Sequence, residues 1–176
     1  MLDKLNIDEI KPTSRRYPAI IWETEREVGD QILEIKDLER VKDGELLFKD
    51  IHVNLKKGDK VAVISKNSLA ITEFFQILSG TIEADKGEYK WGVTTNQSYM
   101  PLDNTNFFKD DSLNLVDWLR QYTKNDEERH EEFIRGFLGR MLFSGDEALK
   151  SSTVLSGGEK MRCMFSRMML QKANVL

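Results

Sequence analysis

The sequence predicts an α/β fold, and three observations carry that prediction. Residues 32–64 hold short apolar runs and alternations separated by turn signals, the pattern of strands. Residues 112–141 change to apolar spacings of three and four, the pattern of amphipathic helices. The last segment opens on Gly157-Gly158 and continues with Met161, Met164, Phe165, Met168 and Met169 at the same helical spacing. Strands, one helix, a further strand, a helical block and a closing helix make an α/β arrangement with a helical insertion. A chain of 176 residues suits one domain, and its 40% hydrophobic content suffices for a core.

Taken in order, residues 1–29 contain Pro12, Pro18 and many charges, and read as a linker or arm with a short helix at its start. Ile32, Leu33 and Ile35 begin the first strand, and Asp43-Gly44 turns the chain. Ile51, Val53 and Leu55 alternate as a half-buried strand should. After the turn at Lys57-Gly58-Asp59, Val61–Ile64 reads as a short, fully buried strand. A helix is predicted over about 69–78, with Phe74, Phe75, Ile77 and Leu78 apolar and Gly80 ending it. Lys86-Gly87 turns into a strand from Glu88 to Thr95. Beyond Pro101, Ser112 caps a helix carrying Leu115, Val116, Leu119 and Tyr122. A second helix starts near Asn125, which forms a capping box with Glu128, and buries Phe133, Ile134, Phe137, Leu138 and Met141. Ser156 and Glu159 form an S-x-x-E box that starts the closing helix at Ser156.

Composition narrows the functional classes. The formal charge of −4 gives no general nucleic-acid footprint, although a local basic patch stays open. The single Cys163 excludes an internal disulfide and, inside an apolar stripe, reads as core and not as a nucleophile. No apolar run approaches the roughly 18 residues that span a bilayer. Met1–Leu5 is not followed by the apolar core of a signal peptide. A cytoplasmic location, with no membrane partner, is the expectation.

The chemistry concentrates at Leu155-Ser156-Gly157-Gly158-Glu159. A helix start carries unpaired N–H groups and partial positive charge, and two glycines let a phosphate reach that backbone. A Gly turn before a well-capped amphipathic helix is the plainer alternative. The wording of the segment, through Arg162 and Ser166-Arg167 to Lys172-Ala-Asn-Val-Leu176, resembles the signature motif and following helix of the ATP-binding cassette (ABC) ATPases. The resemblance covers about residues 30–176. It implies a P-loop NTPase-like cassette with an antiparallel β part and a helical subdomain at about 105–155 that carries the signature. It also implies that the Walker B strand would begin near Asn174, so the chain reads as a cassette truncated before that strand.

Such a cassette places its Walker A loop between Val61–Ile64 and the next helix. The pattern G-x-x-x-x-G-K-[ST] supplies backbone donors, a lysine for the β/γ charge and a hydroxyl for Mg²⁺. The stretch here is Ser65-Lys66-Asn67-Ser68-Leu69-Ala70-Ile71-Thr72. Ser65 and Ala70 replace the glycines, and Ile71 replaces the lysine. Only Asn67 and Thr72 agree with the family's pattern, Thr72 at the position of the metal-binding hydroxyl. Gly58–Ile64 before the loop and Phe74–Gly80 after it keep the family's register, so the loop reads as a degraded Walker A. Lys66 is a solvated loop lysine or reaches phosphate by another route. The residue that would stack on adenine falls near Lys42, and the Q-loop glutamine falls on Leu102, with Gln97 nearby but out of register.

Leu5–Pro18, Glu27–Leu33 and Lys90–Pro101 resemble the end of the inter-cassette linker and the second cassette of ABC-F proteins. That resemblance implies a parent with two cassettes, ATP and Mg²⁺ as ligands, the first cassette of the same chain as partner, and a ribosomal role in translation. It implies that Ser156, Gly157, Gly158 and Glu159 face ATP held by the partner cassette, and that the fragment alone is inactive. Arg15-Arg16 would touch RNA phosphate or be merely solvated. Two other readings stay open: the ATPase subunit of a transporter, and a non-enzymatic interaction module derived from a cassette.

Overall fold

A computed structural model describes residues 16–176 of the chain. The predicted short helix near the start of the arm lies outside the described residues. Three strands form one antiparallel sheet: β1 (Gln31–Lys42) lies between β2 (Glu45–Lys56) and β3 (Lys86–Trp91). Asp43 and Gly44 join β1 to β2 with φ of 52° and 82°, the left-handed pair that a tight hairpin requires.

The inward side chains of β1 are Leu33, Ile35 and then Leu38, one position out of alternation. A bulge explains the step. Asp37 has φ 51°, and the pairing shifts between Ile35 and Leu38 on one side and between Lys36 and Glu39 on the other. Gly87 belongs to the same device, because a Cβ there would lie 2.3 Å from the Asp37 carbonyl oxygen.

Helix α1 (Ser68–Leu78) covers this sheet, burying Ile77 and Leu78 against Ile32, Leu33, Ile35 and Leu38. Phe74 meets Phe48 of β2 edge to face, with ring centres 5.8 Å apart. Ser79 caps the helix, and Gly80 follows with φ 73°, the left-handed exit expected of it.

Two strand expectations fail. Val61–Ile64 is not a strand, and Val61, Val63 and Ile64 are 59%, 37% and 89% exposed. A buried strand needs neighbours for its N–H and C=O groups. No described strand pairs with this run, since the one described sheet consists of β2, β1 and β3 alone. β3 ends at Trp91, short of Thr95. There the Gly92 N–H reaches the Ile32 carbonyl at 2.8 Å, and Thr95 turns back to the Gly92 carbonyl at 3.0 Å.

A second core is wholly helical, built on α2 (Leu115–Arg120), α3 (Glu131–Arg140) and α4 (Gly157–Gln171). Trp118, Leu119, Ile134, Leu138, Met141 and Met164 are buried there. Trp118 stacks on Phe108 at 4.7 Å and donates to the Phe107 carbonyl at 2.6 Å. Asn114, not Ser112, caps α2, accepting from the Asp117 N–H at 2.9 Å. Ser112 lies two residues too early and bonds to the Asp110 carboxylate instead. Asn125 does accept from the Glu128 N–H at 2.9 Å, yet α3 begins only at Glu131. The Glu128 carboxylate serves the Lys124 N–H and Lys172 and does not close the box, so a turn forms first.

The two cores meet where Gln97 pairs with Val175 in a parallel bridge. Ser98 reinforces the contact through the Val175 carbonyl at 2.9 Å and the Gln171 side chain at 2.6 Å.

Candidate nucleotide site

The helix start at Ser156 has the geometry its residues imply. Ser156 is the N-cap of α4, and its hydroxyl accepts from the Glu159 N–H at 3.3 Å. The Glu159 carboxylate reaches back to the Ser156 N–H at 2.8 Å and the Ser156 hydroxyl at 2.7 Å. The Ser156 hydroxyl, then its backbone N–H, and then Lys150 at 3.4 Å hold the Glu159 carboxyl below the usual carboxylate range. The box therefore stays formed at neutral pH.

Gly157 and Gly158 occupy the first turn above it. Neither has a positive φ, and a Cβ added to either meets nothing within 4 Å. Internal packing does not require glycine here. Each glycine weakens a helix by about 0.5–1 kcal/mol relative to alanine. What their bareness provides is open approach to the first N–H groups of α4, which have no acceptor within the helix. A phosphate oxygen fits that surface.

The loop 65–72 is arranged differently. Asn67 caps α1, its side chain accepting from the Leu69 N–H at 2.9 Å, and its own N–H bonds to the Ser65 hydroxyl at 3.1 Å. The donors that would face an anion are thus partly engaged by the loop itself. Ala70 is buried and Ile71 half-buried. Ser65, Lys66, Ser68 and Leu69 are exposed. The Thr72 hydroxyl donates to the Ser68 carbonyl at 3.1 Å, inside its own helix. Among the described residues no cluster of His, Cys, Asp and Glu could hold a metal ion. This loop does not fit a triphosphate in the manner of a glycine-lysine loop.

Sequence reasoning missed the charged group beside it. Glu73 of α1 is only 3% exposed and accepts from Arg40 Nε at 2.8 Å and Lys42 Nζ at 2.6 Å. Arg40 also pairs with Asp85 at 3.3 Å, and Asp85 accepts from the Val41 N–H at 2.7 Å. Lys42 is therefore committed to an ion pair at the place where a ring would be expected. The available signal was spacing: Ala70, Glu73 and Ile77 share the buried face of α1. Leu102 is 84% exposed, and Gln97 donates to the Thr95 hydroxyl at 2.6 Å. Farther along α4, Cys163 is fully buried, and burial pushes its thiol up to about 12. Arg167 lies between the Phe107 and Tyr122 rings at 4.8 and 4.9 Å.

Comparison with known proteins identifies the family. The model of the family described as "ABC transporter" matches residues 48–176. The chain is 50% identical over 176 residues to the uncharacterized ABC transporter ATP-binding protein YkpA of Bacillus subtilis (strain 168), covering 100% of this chain and 32% of that protein. It is 25% identical over 181 residues to ABC transporter F family member 5 of Arabidopsis thaliana, covering 99% of this chain and 25% of that protein. The chain thus spans about a third or less of the length of these relatives. Its fold matches the dimeric structure of MJ0796, a bacterial ABC transporter cassette, with a TM-score of 0.61 and 17% identity over 81% of this chain and 71% of that one. No helix among the described residues is long and apolar enough to cross a membrane. With a capped Ser-Gly-Gly-Glu helix start on a cassette fold, and the family model over most of its length, the chain belongs to the ABC transporter family as an ATP-binding cassette domain.

Proposed function

We propose that this cassette serves an ABC-F type protein and contributes Ser156, Gly157, Gly158 and Glu159 to ATP bound by a second cassette. Its own loop at Ser65–Thr72 does not hold nucleotide in this reading. The observation that carries it is the difference in side chains at the two capped helix starts. Gly157 and Gly158 are bare and open to an external group, whereas buried Ala70 and half-buried Ile71 stand at the glycine and lysine positions of the degraded loop. Phosphoryl transfer rests on positioning and charge neutralisation, so a helix start aimed at the γ-phosphate assists hydrolysis without itself reacting. Mg²⁺ would be held on the partner's side, since Thr72 is bonded within α1.

The similarity to ABC transporter F family member 5 and the linker-like arm support the ABC-F assignment. On that basis we assign residues 1–29 to the end of an inter-cassette linker and residues 30–176 to the cassette, with a helical subdomain at about 105–155. A cytoplasmic site of action on the ribosome follows from the same assignment. A second reading, a cassette retained as an interaction module, is favoured by the exposed Val61, Val63 and Ile64.

One experiment separates the two. In the longer protein, Ser156→Arg and Gly157→Asp place bulk, and in the second case negative charge, against the incoming phosphate. Each should lower ATP turnover at least about tenfold, the effect of losing roughly one hydrogen bond to a charged group, with the melting temperature preserved. Unchanged turnover in both variants favours the interaction module.

A further inference from the structure

Residues 16–29 contain neither helix nor strand, yet they cross both cores and are tied to each. The Ala19 N–H donates to the carbonyl of Arg140, the last residue of α3, at 2.8 Å. The Ile21 N–H meets the Met169 sulfur of α4 at 3.3 Å, and the Glu25 N–H takes the Lys172 carbonyl at 3.0 Å. Glu25 also pairs with Lys124, between α2 and α3. On the sheet side, Arg26 reaches the Val93 carbonyl at 3.3 Å, and the Gly29 N–H bonds to the Thr94 hydroxyl at 2.7 Å. Asn174 joins the two sides, donating to the Arg26 carbonyl at 3.3 Å and the Thr94 carbonyl at 3.0 Å.

Two further facts define the character of this crossing. Apart from Val28, which packs half-buried against the sheet core, the segment is held by hydrogen bonds and an ion pair and not by buried side chains: Tyr17, Ile20, Ile21 and Trp22 are 71%, 44%, 48% and 40% exposed. Such a segment detaches locally without unfolding a core. Its anchor on α4 is a strained one, since Lys172 caps the helix with φ 49°, a conformation that suits glycine better. Lys172 is fixed there by the Glu25 N–H on its carbonyl and by Glu128 at 3.2 Å on its ammonium.

We propose that residues 16–29 form a detachable strap that locks the helical core, and α4 with it, against the sheet. Bound, the strap fixes the C-terminal end of α4 through Met169 and Lys172. Released, it leaves the two cores joined through Asn96, Gln97 and Ser98 on one side and Asn174 and Val175 on the other. While bound, the strap passes force along residues 16–29 to the helix that carries Ser156 at its other end. Only this consequence for Ser156 rests on the proposed nucleotide role; the strap itself does not.

The test is hydrogen–deuterium exchange on the 176-residue chain without nucleotide. Glu25→Lys and Lys124→Glu each break the ion pair, and the double exchange restores it with reversed sign. Ala19→Pro removes the donor to Arg140. Each single change should raise exchange at residues 140–143 and 169–174 several-fold. The β1–β2 hairpin should not change, and the double swap should return protection. Faster exchange confined to residues 16–29, with the end of α4 unaltered, overturns the strap. So does a double swap that restores nothing. Should Ala19→Pro melt early, the charge swap alone decides. A failure here leaves the nucleotide proposal untouched, because no nucleotide enters the measurement.

Discussion

Replacing Glu73 by alanine should destabilise the chain by about 2–3 kcal/mol. Glu73 is 3% exposed, and its carboxylate accepts two charge-assisted bonds, from Arg40 at 2.8 Å and Lys42 at 2.6 Å. Bonds to charged groups contribute about 1.5–3 kcal/mol each. The sum must be discounted. The Lys42 side chain is 38% exposed and can turn to water, Arg40 keeps Asp85, and the cost of burying the carboxylate disappears with it. For a domain of this size about 2–4 °C accompanies each kcal/mol, so the melting temperature should fall by about 4–12 °C. The pH dependence gives an independent check. Lys42 first, and Arg40 after the opposing effect of burial, hold the Glu73 carboxyl below its ordinary value. A depressed folded-state pKa contributes stability that is fully present above the unfolded value and lost as pH falls through the folded one. The wild type should therefore lose more stability than Glu73→Ala on acidification below about pH 4.5. Urea titrations at pH 7 and across pH 3–5 would measure both. A loss under about 0.5 kcal/mol at pH 7, or parallel acid curves, would refute the reasoning.

Two shorter predictions concern residues on the same helices. Ile71→Lys should not create nucleotide binding, because Asn67 already takes the Leu69 N–H and Ala70 fills a glycine position of the loop. A preserved phosphate cradle would instead raise the affinity for a fluorescent ATP analogue by up to about a hundredfold. Cys163 is fully buried with its thiol pushed up to about 12, so a thiol reagent at pH 8 should label it only at the rate of unfolding; rapid labelling of the folded chain would contradict the packing of α4.

What the sequence made legible was local. The hairpin at Asp43-Gly44, the alternation through Ile51, Val53 and Leu55, and the box from Ser156 to Glu159 each depend on residues a few positions apart. Val61–Ile64 misled because an apolar run states what a strand would bury, not whether a neighbour exists to pair with it. Asn114 displaced Ser112 as a cap because two competent side chains lay two residues apart, and only the packed helix chooses between them. The bulge at Asp37 was invisible for a related reason: its cause is the partner position Gly87, on a strand far along the chain. At the site, the bare glycines could be read from the sequence, but their openness could not. The Glu73 ion pairs join α1 to β1 across more than thirty residues. A lone acid on an apolar helix face was the only trace they left.

Photoaffinity labelling of this cassette together with the proposed second cassette is the decisive measurement. The probe is an ATP analogue carrying its photoreactive group on the γ-phosphate, irradiated with Mg²⁺ present and mapped by peptide sequencing. The account predicts label on the peptide containing Ser156–Glu159 and none on Ser65–Thr72. Label on Ser65–Thr72, with Ser156–Glu159 unmarked, would contradict it.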